Sequence, residues 1–243
     1  MEPKLKFEPL GNGVNIAVSK HHTFGTDAVL LSNFANAKAN DRVIDLGTGC
    51  GIIAFLMLRD KKKLNVTGVD ISSEAIDLCN ITNKENGFLN ANFICSDLKD
   101  LKGKVEFGCN TLITCNPPYK KMGTGIKNPD KVDSVARHEV ACTATDIINV
   151  SSKLLQTGGR LCICQRPERL AEIMELMRRA KIEPKRLRLV SQRIGEEPWL
   201  FLLEGKKCAN TGLRIAPTLY IEKNGELSDE MKEIYGAYKE AYL

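Results

Sequence analysis

The residues best equipped for chemistry lie in one short run, Asn116-Pro117-Pro118-Tyr119. Two prolines remove two backbone donors and restrict the backbone on either side, so the run is a rigid kink and not a helix. Held that way, the Asn116 side-chain oxygen and the Pro117 carbonyl form a pair of acceptors, with the Tyr119 ring beside them. A planar exocyclic amine offers two N–H donors and a flat face, and matches all three. Such an amine is a poor nucleophile because its lone pair is delocalised. Acceptors aimed at its protons stabilise the positive charge that grows on nitrogen during attack. Stacking on the phenol ring contributes about 1–3 kcal/mol per base. No strong general base is needed, since the product nitrogen is acidic enough to lose its proton afterwards; His138 is a weak candidate for that role.

A second set of residues supplies a partner for that amine. In "DLGTGCG", Gly47, Gly49 and Gly51 alternate around Thr48, directly after an apolar strand pattern. Glycines there permit a tight turn and close approach of a ligand to the backbone. The spacing departs from the G-x-G-x-x-G of dinucleotide sites. Asp45 precedes the turn, where an anion would repel a pyrophosphate and attract a cation. S-adenosylmethionine carries an ammonium and a sulfonium and no phosphate. The next strand pattern ends in Asp70-Ile71, suited to ribose hydroxyls, and the third runs into Asp97-Leu98, suited to an adenine amino group. Three successive strand ends carrying carboxylates predict a site for S-adenosylmethionine, its sulfonium methyl in line with the amine.

Positioning these groups requires an α/β sheet. "RVIDLG", "NVTGVD", "ANFICSD", "NTLITCN" and "RLCICQ" read as strands, and "GIIAFLMLRD", "SSEAIDLCNITNKENG" and "PERLAEIMELMRRAK" as helices between them. The alternation predicts a mostly parallel sheet with helices on both faces, and ligands beyond the carboxyl ends of its strands. "KRLRLVSQR" and "PWLFLLEG" have no helix between them and predict an antiparallel edge hairpin. Before the core, "LKFEPL" and "VNIAVS" flank the turn "GNG", and "TFGTDAVLLSNFANAK" reads as a helix capped by Thr26 or Asp27, with a stripe of Ala28, Leu31, Phe34 and Ala35. A long helix is expected over "SVARHEVACTATDIINVSSKLLQTGG", ending at its Gly-Gly pair, and a last helix capped by Ser228 after a turn at Asn224-Gly225. The expected organisation is a hairpin and helix over 1–40 packed on a catalytic domain over 41–243.

The chain of 243 residues carries a net charge of +5, which permits a polyanionic partner without demanding one. One cluster, Arg178, Arg179, Lys181, Lys185, Arg186, Arg188 and Arg193, is either a solvated surface or a phosphate-contacting patch. The nine cysteines contain no C-x-x-C and, with three histidines, complete no zinc spacing, so no metal is expected. Cys95, Cys115, Cys162 and Cys164 read as small buried hydrophobes. The charged N-terminus and the lack of a long apolar stretch predict a cytoplasmic protein without a membrane partner.

Taken in order, "DLGTGCG", "VD", "SDL" and "NPPY" resemble the class I S-adenosylmethionine-dependent amino-methyltransferases over roughly 41–203. Members of that class act on adenine N6, guanine N2, cytosine N4 and glutamine N5. "FGTDAVLL", "ARHE" and "LYIEKNGELSDEMKEIY" are similar to the bacterial tRNA1(Val) adenine-N6-methyltransferase group. The resemblance implies a Rossmann-like, seven-stranded class I sheet and a substrate in tRNA or another structured RNA. It also implies that Thr26 and Asp27 border the cofactor pocket. Lys120, Lys121, Lys127 and Lys131, in a glycine-containing loop after Tyr119, are candidates for closing over a flipped adenine and its phosphates, with Arg137 and His138 as further RNA contacts. Alternatives are a protein glutamine-N5 methyltransferase, an rRNA guanine-N2 methyltransferase, and an RNA-binding module that keeps the fold without catalysis.

Overall fold

A computed structural model describes residues 5–60, 63–117, 142–236 and 238. The chain opens with an antiparallel hairpin, β1 (Lys6–Gly11) and β2 (Val14–Val18), turning at the "GNG" signal. Helix α1 (Thr26–Ala35) follows. The core then alternates as the sequence pattern predicts: β3 (Arg42–Leu46), α2 (Ile52–Asp60), β4 (Asn65–Asp70), α3 (Ser73–Asn86), β5 (Ala91–Cys95) and β6 (Asn110–Cys115). After it come α4 (Ala144–Leu154), β7 (Leu155–Gln165), α5 (Leu170–Arg179), β8 (Ile182–Ser191) and β9 (Leu200–Lys207).

The main sheet has the order β5-β4-β3-β6-β7-β9-β8. Strands β3 to β7 pair in parallel, and β9 runs antiparallel between β7 and β8. The hairpin of β8 and β9 is the expected antiparallel edge. Among the described residues the sheet has nine strands where the resemblance implies seven, because β10 (Arg214–Ile215) and β11 (Leu219–Tyr220) lie parallel along the outer side of β8. Two residues each, with Pro217 between them, are too few to set a periodic pattern, yet they cover an edge whose backbone groups would otherwise go unpaired. A small hairpin, β12 (Glu222–Lys223) and β13 (Glu226–Leu227), leads to α6 (Asp229–Tyr235), capped by Ser228 as expected.

Alternation along the strands splits the core into two layers. Val43 joins α1, α2 and α3 on one face, while Ile44 and Leu46 join α4 and α5 on the other. Helix α1 buries more than the expected stripe, adding Val29 and Leu30, because it is wedged between α2, the sheet and α6. The hairpin is fixed to α3 by polar contacts: the Ala17 amide donates to Thr82 Oγ1 at 2.9 Å, and Asn86 Nδ2 donates to the Asn15 carbonyl at 2.7 Å.

Two helix ends differ from expectation. The N-cap of α1 is Gly25, with Thr26 the first helical residue; the Asp27 carboxylate instead accepts from the Ala28 amide and reaches outward. Helix α4 begins at Ala144 with a Thr143–Asp146 capping box and passes directly into β7 at Leu155, so Gly158 and Gly159 lie in the strand and do not stop the helix. Residues 134–141 of the long helix expected there lie outside the described residues. Cys115, Cys162 and Cys164 are buried, but Cys95 is exposed at the end of β5, on a strand whose outer positions face solvent.

Candidate active site

The glycine loop after β3 is built on a buried carboxylate. Asp45 is 1% exposed and accepts hydrogen bonds from Thr48 Oγ1 and, across the parallel pair, Thr114 Oγ1, each at 2.7 Å. Burial pushes its pKa up from 3.8 to about 6; the two hydroxyls offset this only in part, and the neighbouring Asp70 charge adds to it. Above it the chain turns sharply, and the amides of Gly47 and Thr48 both donate to the Val69 carbonyl at 2.8 and 3.0 Å. Gly47 and Gly49 have φ of +69° and +55°, and nothing stands within 4 Å of where a Cβ would lie, so this part of the loop faces open space. Gly51 differs: φ is +85° and a Cβ would meet the Phe55 ring at 2.6 Å. The first two glycines serve the turn; the third serves the packing of α2.

Asp70 ends β4 and ties three loops together. Its Oδ2 accepts from the Gly49 amide at 2.8 Å and its Oδ1 from the Ser72 amide at 2.9 Å. Its backbone carbonyl accepts from the Ser96 amide at 2.8 Å. Ile71, beside it, is 40% exposed. Asp97 follows β5, half-buried, with Oδ1 accepting from the Lys99 amide at 2.8 Å; Leu98 packs partly against the core. All three carboxylates thus stand at the carboxyl ends of adjacent strands.

Asn116 leaves the end of β6, the strand next to β3, half-buried, and Pro117 is buried after it. Asn116 Nδ2 donates to Asp27 Oδ2 at 3.0 Å, and Cys164 Sγ, on β7, donates to Asn116 Oδ1 at 3.1 Å. Helix α1 therefore brings Asp27 to the candidate catalytic amide from 89 residues away in sequence. Thr26 Oγ1 lies 3.0 Å from the Tyr235 hydroxyl, which anchors the start of α1 to α6. Pro118, Tyr119, Lys120, Lys121, Lys127, Lys131, Arg137 and His138 lie outside the described residues.

Sequence reasoning missed three contributors. Thr114 braces Asp45; its signal is a polar residue in the apolar run "TLITC", in register with the carboxylate. Cys164 touches the Asn116 carboxamide, which no local pattern announces. A lash of Ser19, His22, Ser72 and Glu74 pins the segment before α1 beside Asp70: Ser19 Oγ donates to Glu74 at 2.7 Å and His22 Nε2 lies 3.2 Å from Ser72 Oγ.

The arginines of the basic cluster, on α5, on β8 and just after it, each meet a carboxylate, and Lys185 Nζ donates to the Asn210 and Thr211 carbonyls. Arg178 meets Glu183, Arg179 meets Glu175, Arg186 meets Glu204, Arg188 meets both carboxylate oxygens of Glu230, and Arg193 meets Glu222 and Glu196. Arg186 also lies 3.9 Å from the centre of the Phe34 ring. Arg186 and Arg188 tie β8 to β9 and α6, and Arg193 ties the segment after β8 to β12; Glu204, Glu222 and Glu230 come from distant sequence, while Glu175, Glu183 and Glu196 are local. Among the described residues no His, Cys, Asp and Glu cluster could hold a metal, and no helix is long and apolar enough to cross a membrane.

A mostly parallel sheet with this strand order, a glycine turn after its central strand and carboxylates on the next two strand ends is the class I methyltransferase fold. The structure aligns with a predicted O-methyltransferase from Agrobacterium tumefaciens at a TM-score of 0.70 and 18% identity, covering 88% of this chain and 97% of that one. It also aligns with geranyl diphosphate C-methyltransferase from Streptomyces coelicolor, solved with S-adenosyl-L-homocysteine, at a TM-score of 0.55 and 15% identity over 74% and 79% of the two chains. Residues 18–181 match the methyltransferase small domain family, and the chain belongs to it. Curated relatives include the tRNA1(Val) (adenine(37)-N6)-methyltransferases of Parabacteroides distasonis, 29% identical over 74% of this chain and 75% of that one, and of Shewanella woodyi, 26% identical over 74% and 76%.

Proposed function

We propose that the protein methylates the N6 amine of an adenine in tRNA, in the cytoplasm, with S-adenosylmethionine as donor. The observation that carries the reading is the placement of Asn116 at the strand end beside the glycine loop, its carboxamide already engaged by Asp27. The relatives named above support adenine N6 and tRNA over the amide and guanine alternatives.

The residues fit the donor. The open side of Gly47 and Gly49 leaves room for a ligand against the backbone, and Asp45 beneath them is a buried carboxylate faced by hydroxyls, which a nearby cation would favour in its ionised form. Asp45, Gly47, Thr48, Gly49 and Gly51 form the floor; Asp70 and Ile71 hold the ribose, Asp97 and Leu98 the adenine, and Thr26 and Asp27 close the side toward Asn116. Bound there, S-adenosylmethionine supplies an electrophilic methyl group.

The chain's own part is to place and polarise the amine. Asn116 Oδ1 and the Pro117 carbonyl accept its two protons and so stabilise the charge that develops on nitrogen, while Tyr119 stacks on the base. Positioning supplies the rest of the acceleration. The proton leaves to solvent after transfer. Lys120, Lys121, Lys127, Arg137 and His138 contact RNA around the flipped base.

Incubation with labelled donor and total bacterial tRNA, followed by nucleoside mass spectrometry, tests the proposal. N6-methyladenosine is expected. Label found only in N2-methylguanosine or in protein refutes it.

A further inference from the structure

Asp27 is not on any strand end, and its two oxygens have different work. Oδ1 accepts from the adjacent Ala28 amide at 2.9 Å, which fixes the side chain to its own helix. Oδ2 accepts from Asn116 Nδ2 at 3.0 Å. The two faces of a carboxamide are nearly equal in shape and opposite in hydrogen bonding: one accepts and one donates. An ionised carboxylate can only accept. Facing Asp27, Asn116 must therefore present its NH2 group, and its oxygen must turn the other way. The reverse orientation would set two acceptors against each other at hydrogen-bond distance.

On the far side a thiol meets the oxygen, with Cys164 Sγ at 3.1 Å and the residue itself fully buried. An S–H group is a weak donor, and an amide oxygen has two lone pairs. The contact is compatible with either orientation at small cost, whereas the Asp27 carboxylate is compatible with one.

We propose that Asp27 is a positioning residue for methyl transfer: by accepting from Asn116 Nδ2 it fixes the carboxamide with its oxygen, and not its nitrogen, toward the substrate amine. The proposal rests on the reading that Asn116 accepts from that amine. It explains why the segment 19–27 is lashed to α3 through Ser19, His22 and Glu74 and to α6 through Thr26 and Tyr235: a residue that orients a catalytic amide must itself be held.

Exchanging donors for acceptors at nearly constant shape tests this. In Asp27→Asn the new amide keeps its oxygen on the Ala28 N–H and turns its NH2 toward Asn116, which inverts the catalytic carboxamide and presents N–H to the substrate N–H. Single-turnover transfer at saturating donor should fall by about 100-fold, the scale for losing one preorganised electrostatic contact. The melting temperature should change little. Asn116→Asp alone faces two carboxylates and should fall comparably. The double variant Asp27→Asn/Asn116→Asp restores one donor opposite one acceptor and leaves the second carboxylate oxygen for the amine. It should recover to within about tenfold of wild type, a non-additivity that only direct coupling produces.

A purely structural role would not be rescued by the exchange. Wild-type rate in Asp27→Asn, or a double variant no faster than the singles, overturns the proposal. So does a raised donor Kd with an unchanged single-turnover rate, which would give Asp27 to the donor pocket alone. Asn116→Ala keeps the two readings apart. If that variant turns over normally, the role of Asn116 fails; if it is inactive while Asp27→Asn is normal, only the role of Asp27 fails.

Discussion

Asp45→Asn should make the ligand-free protein more stable at neutral pH and poorer at holding its donor. The Asp45 carboxyl is buried and its pKa stands at about 6, above the ordinary 3.8. A raised folded-state pKa on an acid means that ionisation opposes folding: the favourable neutral form persists below 3.8, and stability is lost as the pH rises through about 6. At about 1.4 kcal/mol per unit, the gap of roughly two units costs about 3 kcal/mol at pH 7.5. Most of that cost is absent at pH 4. The amide cannot ionise, so the stability of Asp45→Asn relative to wild type should grow by about 2 kcal/mol between pH 4 and pH 7.5. Urea unfolding of both ligand-free proteins at the two pH values measures it directly. The donor should reverse the trend. If its positive groups return the carboxyl to an ordinary pKa, the wild-type Kd weakens about tenfold from pH 7.5 to pH 5, and Asp45→Asn loses that dependence. Parallel stability curves for the two proteins, or a Kd slope that survives the substitution, would refute the reasoning.

Gly51→Ala should destabilise the fold by about 2–4 kcal/mol, since a left-handed φ of +85° is combined with a Cβ 2.6 Å from the Phe55 ring; a thermal midpoint within 2 °C of wild type, about what a fraction of a kcal/mol produces, would contradict this. Replacing Arg178, Arg179 and Arg193 together by alanine should leave the salt slope of tRNA binding unchanged, because each already faces a glutamate, whereas replacing Lys120, Lys121 and Lys127 should flatten it by up to about three counterions; filter binding across a salt series separates the two sets.

The core of the fold was legible because its strands are short apolar runs with helical patterns between them, and both layers are fed by alternate positions of the same strands. Asp45, Asp70 and Asp97 could be found from sequence because each follows such a run. Local reading assigned Asp27 to a helix cap, since an acid beside a threonine at a helix start is the usual capping signal; its real partner is Asn116, set by how α1 lies across the end of β6. For the arginine run, which left a solvated surface and a phosphate-contacting patch open, the distant partners were equally invisible. Glu204, Glu222 and Glu230 neutralise it from strands and helices that sequence proximity does not connect. The added edge strands β10 and β11 are two residues long, shorter than any period that could mark them.

The central claim is that the Asn116 carboxamide holds the nucleophile. Single-turnover formation of N6-methyladenosine on tRNA by Asn116→Ala, with donor affinity measured in parallel by calorimetry, tests it most directly. The account predicts a rate at least about 100-fold below wild type with the donor Kd unchanged. Normal turnover in that variant would contradict it.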